Sequence, residues 1–113
     1  MGRLLVAGAM QASQRHTILL VQHNKSFSSR TFLDFPTVPQ AMDALVQMYE
    51  MALRSLNPEA EHITYDITDL YKYLDSLEDV SALVLDPHAC MYEPQDRDWL
   101  KASVLSHLRQ QAG

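Results

Sequence analysis

Apolar residues recur at two spacings along this chain, every second position in short runs and every third or fourth in longer ones. The first spacing predicts strands and the second helices. His16-Thr-Ile-Leu-Leu-Val-Gln22 is the most telling run, because it is apolar on both sides. Alternate strand residues point to opposite faces, so His16, Ile18, Leu20 and Gln22 share one face while Thr17, Leu19 and Val21 share the other. A short chain has helices enough for one side of a sheet, and a second copy of the protein is the expected cover for the other.

Beyond a polar hairpin loop, Asn24–Ser29, the run Arg30-Thr-Phe-Leu-Asp-Phe35 predicts a second strand, paired antiparallel with the first. Thr37-Val-Pro-Gln40 resembles a capping box and opens a helix over about 38–57, ended by Asn57-Pro58. Met42, Leu45, Val46, Tyr49, Leu53 and Leu56 form its main stripe. Ala41, Ala44, Met48 and Met51 form a second, open to two readings, a seam with another helix of the chain or an adaptable groove for a partner. Glu50 and Arg54 stand as an i,i+4 pair.

Asp66 is a good N-cap for a shorter helix through about Glu78, with Ile67, Leu70, Tyr71, Leu74 and Leu77 inward. Val80–Asp86 predicts a third strand, again apolar on both faces, with Leu83 and Leu85 on the side expected to meet the second copy. Pro87-His-Ala89 turns into a short fourth strand, Cys90–Pro94, where Pro94 marks an edge or a terminus. Asp96 or Asp98 caps a last helix through Gln111, with Leu100, Val104, Leu105 and Leu108 inward. The order is ββααββα. It predicts an α+β fold, a four-stranded antiparallel sheet with three helices on one face and a homodimer through the open face.

The 113 residues suit one domain over 15–112, after an N-terminal tail, residues 1–14, expected to be flexible. A net charge of −5, with only Lys25, Lys72 and Lys101 as lysines, argues against autonomous nucleic-acid binding. Cys90, the lone cysteine, excludes an internal disulfide and suits a reducing compartment. No run approaches the roughly 18 apolar residues of a membrane span. Arg3–Met10 imitates a short signal peptide, and residues 1–33 carry four basic residues and no acidic one, as mitochondrial leaders do. The strand at 16–22 begins too soon for a long leader, and Val6 stands where a myristoylation signal wants Ser or Thr.

Motifs for chemistry are sparse. The glycines are Gly2, Gly8 and Gly113, so nothing between the ends makes a phosphate loop or dinucleotide fingerprint. His88 and Cys90 have ligand-like spacing but no second pair to complete four ligands, and no third group to orient a Cys–His nucleophile. The acidic pairs Asp66/Asp69 and Asp96/Asp98 are explained as helix starts. No cofactor or catalytic residue is expected. His16 and Gln22, polar ends of an apolar strand face, either hydrogen-bond across a two-fold interface or are solvated where the strand leaves the sheet. Trp99 either packs at the end of the sheet beside Tyr92 or anchors a partner segment.

With these residues in view, the chain resembles the enhancer of rudimentary homolog family over about residues 15–112. The resemblance rests on His16–Gln22, Arg30-Thr31, Met48-Tyr-Glu50, Asn57-Pro58, Ile63-Thr-Tyr-Asp-Ile67, Leu83-Val84, Tyr92, Pro94, Trp99 and Leu108-Arg109. It also takes in the pattern of Leu70, Tyr73, Leu74, Asp75, Leu77 and Asp79. The resemblance implies a ββααββα protein without catalytic activity that dimerises through its sheet, with His16, Ile18, Leu20 and Gln22 on the dimer face.

It further implies a dimeric adaptor, nuclear or cytoplasmic, that holds short segments of RNA-binding or effector proteins. The settings it implies are splicing, message elimination, microRNA processing and, in nematode-like relatives, piRNA complexes. Ala44, Met48, Met51, Tyr92 and Trp99 are the expected partner contacts. Direct RNA binding is the competing reading, and an enzyme of pyrimidine metabolism finds no support in the motifs. Acidophilic-kinase sites of the family leave Thr31 as a phosphorylation candidate, with Asp34 three residues on, whereas Thr37 is followed by Gln40. The extension of residues 1–14 and the loop His23–Ser29, where relatives have a Pro- and Gly-containing turn, point to a divergent paralogue.

Overall fold

The computed structural model describes residues 15–112. Strand β1 (Thr17–Gln22) leads through a loop with one 3-10 turn, Phe27–Ser29, into β2 (Arg30–Phe35). Helices α1 (Val38–Leu56) and α2 (Ile67–Ser76) follow, then β3 (Asp79–Asp86), β4 (Met91–Gln95) and α3 (Arg97–Ala112). The sheet order is β2-β1-β3-β4, antiparallel throughout. The predicted ββααββα order is therefore the observed one, and the expected tail, residues 1–14, with its leader-like stretch lies outside the described residues.

Helix starts follow local chemistry. Thr37 caps α1, its hydroxyl accepting from the Gln40 backbone N–H at 3.2 Å, and Pro39 sits in the first turn, where a missing N–H is harmless. Asp66 and Asp69 make a reciprocal capping box on α2, each side chain accepting from the other's backbone N–H at 3.1 and 3.2 Å. Of the two predicted caps for α3 the chain uses Asp96, whose carboxylate accepts from the Trp99 N–H at 2.9 Å. Asp98 lies inside the first turn, where its charge favours the helix dipole. Helix α2 stops at Ser76, two residues before the expected end, because Leu77 turns extended and its carbonyl accepts from the Arg97 guanidinium at 2.9 Å.

The core fills one side of the sheet. Leu19 and Val21 of β1 and Val80, Ala82 and Val84 of β3 meet Met42, Leu45, Leu70, Leu74, Leu100 and Val104 from the three helices. Strand alternation sends Ile18 and Leu20 to the other side, where no described helix lies. Leu105 and Leu108, expected inward on α3, are only half-buried, since that helix turns just Leu100 and Val104 fully into the core.

Two further expectations are corrected. Glu50 does not pair with Arg54 but accepts from the Tyr65 hydroxyl at 3.1 Å, which ties the loop before α2 to α1. Trp99 and Tyr92 are not neighbours, because Trp99 lines a hollow between α1 and α3 while Tyr92 lies across the sheet, beside His16. The turn before β4 is built as read: Asp86 accepts from the His88 and Ala89 N–H groups at 2.9 and 3.3 Å, and Cys90 takes a left-handed φ of 54°. Those two backbone donors, Ala89 first, hold the Asp86 carboxyl below its ordinary range.

Candidate functional site

The open face of the sheet is built by register. On it Ile18 is flanked by Asp34 and Leu83, Leu20 by Phe32 and Ser81, and Gln22 by Arg30 and Asp79. Beyond β3, Leu83 pairs with Pro94 and Leu85 with Tyr92. Ile18, Leu20, Leu83 and Leu85 are half-buried by their neighbours, yet Phe32 is 71% exposed and Tyr92 43%. Ile18, Leu20, Phe32, Asp34 and Leu83 line a shallow depression of about 490 Å³. An apolar surface of this kind, contiguous and rimmed by polar groups, marks an interaction site more than scattered exposed residues do.

Each end of that face carries a polar cluster. At one end His16 shares a 2.7 Å hydrogen bond with the Tyr92 hydroxyl through Nδ1, and its Nε2 lies 3.6 Å from Asp34 Oδ1. At the other end Gln22, only 7% exposed, donates to the Asn24 carbonyl at 2.8 Å and accepts from Arg30 Nε at 3.0 Å. The Arg30 guanidinium also stacks over the Phe27 ring, 4.3 Å from its centroid. His16 and Gln22 are thus engaged within the chain and not simply solvated at the strand ends.

A second surface lies on the helical side. Met48, Met51 and Ala52 of α1, Val21 and Leu33 of the sheet and Tyr73 of α2 line a groove of about 460 Å³, with His23 and Thr31 at its polar rim. The second stripe of α1 therefore divides along its length: Ala41 is buried, Ala44 and Met48 pack half-buried against the core, and Met51 is 70% exposed. Met48 and Met51 share the groove, whereas Ala44 is not among its lining residues. Thr31 is exposed beside the groove on the edge strand β2.

Aromatic packing stiffens the floor of this region. Tyr49 meets Tyr65 edge to face with centroids 4.9 Å apart and Tyr73 at 5.2 Å. Burial, and then the neighbouring Glu50 carboxylate, pushes the Tyr65 hydroxyl up to about 12, while burial raises Tyr73 and, with lesser effects from Asp69 and Asp66, Tyr49. On the far side of α1, His107 of α3 donates to Asp43 at 2.6 Å, and Gln111 donates to the same oxygen at 3.2 Å. Trp99 sits in the neighbouring hollow of about 320 Å³ with Val38, Pro39 and Met42.

The proposed partner contacts therefore fall on three separate surfaces: Met48 and Met51 in the groove, Trp99 between α1 and α3, and Tyr92 on the open sheet. Phe32 was legible from the alternation of Arg30–Phe35, which sets residues 30, 32 and 34 on one face. His23, Leu33 and Tyr73 join the groove only through tertiary packing. Among the described residues no cluster of three or more His, Cys, Asp or Glu could hold a metal ion, and no helix is long and apolar enough to cross a membrane.

The model of the enhancer of rudimentary family matches residues 13–113. An enhancer of rudimentary homolog of Arabidopsis thaliana is 45% identical over 97 residues, covering 86% of this chain and 89% of the relative. A homolog of Dictyostelium discoideum is 42% identical over 97 residues, covering 86% and 97%. One of Caenorhabditis elegans is 35% identical over 89 residues, covering 79% and 86%. With the family model matching residues 13–113 and relatives 35–45% identical over most of their length, the chain belongs to the enhancer of rudimentary family.

Proposed function

We propose that this protein is a non-enzymatic homodimeric adaptor that bridges proteins of RNA metabolism by holding short partner segments. The observation that carries the reading is the open sheet face. Ile18, Leu20, Phe32 and Leu83 present one apolar surface that no helix among the described residues covers. Covering such a face with a copy of itself satisfies both protomers with one surface, as closed two-fold symmetry requires. Membership of the family supports the same arrangement through what the resemblance implies, and it supplies the RNA-metabolic setting in the nucleus or cytoplasm.

The groove beside Met48 and Met51 is where a partner segment docks. Unbranched, polarizable methionines fit an apolar segment without a fixed shape, and His23 and Thr31 at the rim can hydrogen-bond its backbone. Two such grooves on one dimer let it join two partner molecules. Phosphorylation of Thr31 would place negative charge on the rim and alter which segments bind.

Affinity purification followed by crosslinked-peptide mapping tests the adaptor reading. It predicts RNA-associated proteins whose crosslinks fall on Met48, Met51 and their neighbours. Tight, salt-sensitive binding of RNA by the purified protein, with no protein partner recovered, would overturn it.

A further inference from the structure

We infer that Arg30 of one protomer pairs with Asp34 of its partner, and that this reciprocal charge pair fixes the antiparallel alignment of the two sheets. The inference rests on the dimer reading above and concerns how the two copies are oriented.

Strand β2 presents Arg30, Phe32 and Asp34 to the open face, a positive charge and a negative charge equally spaced about an exposed aromatic ring. That strip is self-complementary under one kind of two-fold. An axis crossing the strand at Phe32 sets Phe32 against its own copy and lays Arg30 over the partner's Asp34 twice, once for each protomer. An axis running along the strand, with β2 over β2, sets Arg30 on Arg30 and Asp34 on Asp34. Like charges brought together as water is excluded disfavour that arrangement. The same strip therefore attracts in one orientation and repels in the other.

Both groups are prepared for this within their own chain. Gln22 holds Arg30 through Nε at 3.0 Å, which leaves the terminal nitrogens of the guanidinium for a carboxylate. Among the described residues Arg30 forms no ion pair of its own, although Asp79 lies in its row, two strands away across Gln22. Among the described residues Asp34 is approached at Oδ1 alone, by His16 at 3.6 Å, which leaves its second oxygen for the partner. The interface then carries a chain of contacts at each end, His16 to Asp34 to the partner's Arg30 to the partner's Gln22. The charged groups facing it are Arg30, Asp34, Asp79 and, when protonated, His16. Because the pair sits at the edge of the apolar surface, it selects orientation while Ile18, Leu20 and Phe32 supply most of the attraction.

Charge reversal tests this by mass measurement. Arg30→Asp and Asp34→Arg, each alone, set like charges against each other and are expected to weaken dimerisation at least about tenfold. An equal mixture of the two variants restores complementarity in a heterodimer, seen as a one-to-one species in native mass spectrometry. The double variant Arg30→Asp/Asp34→Arg returns to the homodimer. Circular dichroism establishes that each variant is folded, and where a reversal does not fold, Arg30→Gln and Asp34→Asn replace it. Those neutral variants are expected to weaken the dimer individually, and their combination no further than either alone. Single variants that dimerise like the unaltered protein, or weakened variants that neither the mixture nor the double exchange restores, overturn the pairing. An unaltered protein that is monomeric overturns the dimer reading itself, and the pairing with it.

Discussion

Leu20 on β1 and Phe32 on β2 stand directly opposite one another in the sheet, on the face that no helix among the described residues covers. Phe32 is 71% exposed there, which is unusual for a large aromatic flanked by an aliphatic core-forming strand. Burial of such a side chain is worth about 1.5–3 kcal/mol. Phe32→Ser removes two such rings from each dimer and is therefore expected to weaken self-association at least about tenfold while leaving the fold intact, as read by sedimentation equilibrium. An unchanged dissociation constant would place Phe32 outside the interface.

The groove and the open face lie on opposite sides of the sheet, so they are separable by mutation. Met51→Glu puts a charge into an apolar groove without touching the core, since Met51 is 70% exposed. Partner proteins recovered with the tagged chain should be lost, and the mass of the purified protein should not change. Loss of the dimer together with the partners would show that the two surfaces are not independent.

Burial of the tyrosine cluster makes the fold sensitive to alkali. Tyr65 is pushed up to about 12, and Tyr49 and Tyr73 are also raised, so their neutral forms are favoured in the folded state. The unfolded chain loses these protons near the ordinary value of 10.0 while the folded chain keeps them. Stability is thus full below that value and falls as pH climbs through the raised one. Thermal melts should show a declining Tm above about pH 10, and Tyr65→Phe should make the decline shallower. A melt profile flat across that window would contradict the assigned burial.

The 2.6 Å contact between His107 and Asp43 joins α3 to α1, and Gln111 shares its acceptor. Removing a hydrogen bond to a charged group costs about 1.5–3 kcal/mol. His107→Ala and Asp43→Ala should each destabilise the protein by about that much in urea, and the double variant by less than the sum. Additive losses would mean that the two side chains act separately.

Much of this architecture was legible in the sequence because its signals are local. Alternation located β1 through β3, Asp66 and Thr37 marked helix starts with their own side chains, and Pro94 marked an edge strand. The open face was legible for the same reason, since Ile18, Leu20, Leu83 and Leu85 follow from period two. What escaped depends on tertiary contact. Neither the separation of Trp99 from Tyr92 nor the turn of Glu50 toward Tyr65 is written in any spacing, because each is decided by which helices meet. The groove gathers residues from four elements, and although Val21 and the methionines each had a periodic signature, no spacing brings them together.

The mass of the purified 113-residue chain in solution, measured by light scattering with and without Ile18→Arg/Leu20→Arg, tests the dimer most directly. The unaltered protein is expected at twice the chain mass and the folded double variant at the chain mass. A monomeric unaltered protein, or a double variant with the dimer mass unchanged, would contradict an interface built on the open sheet face.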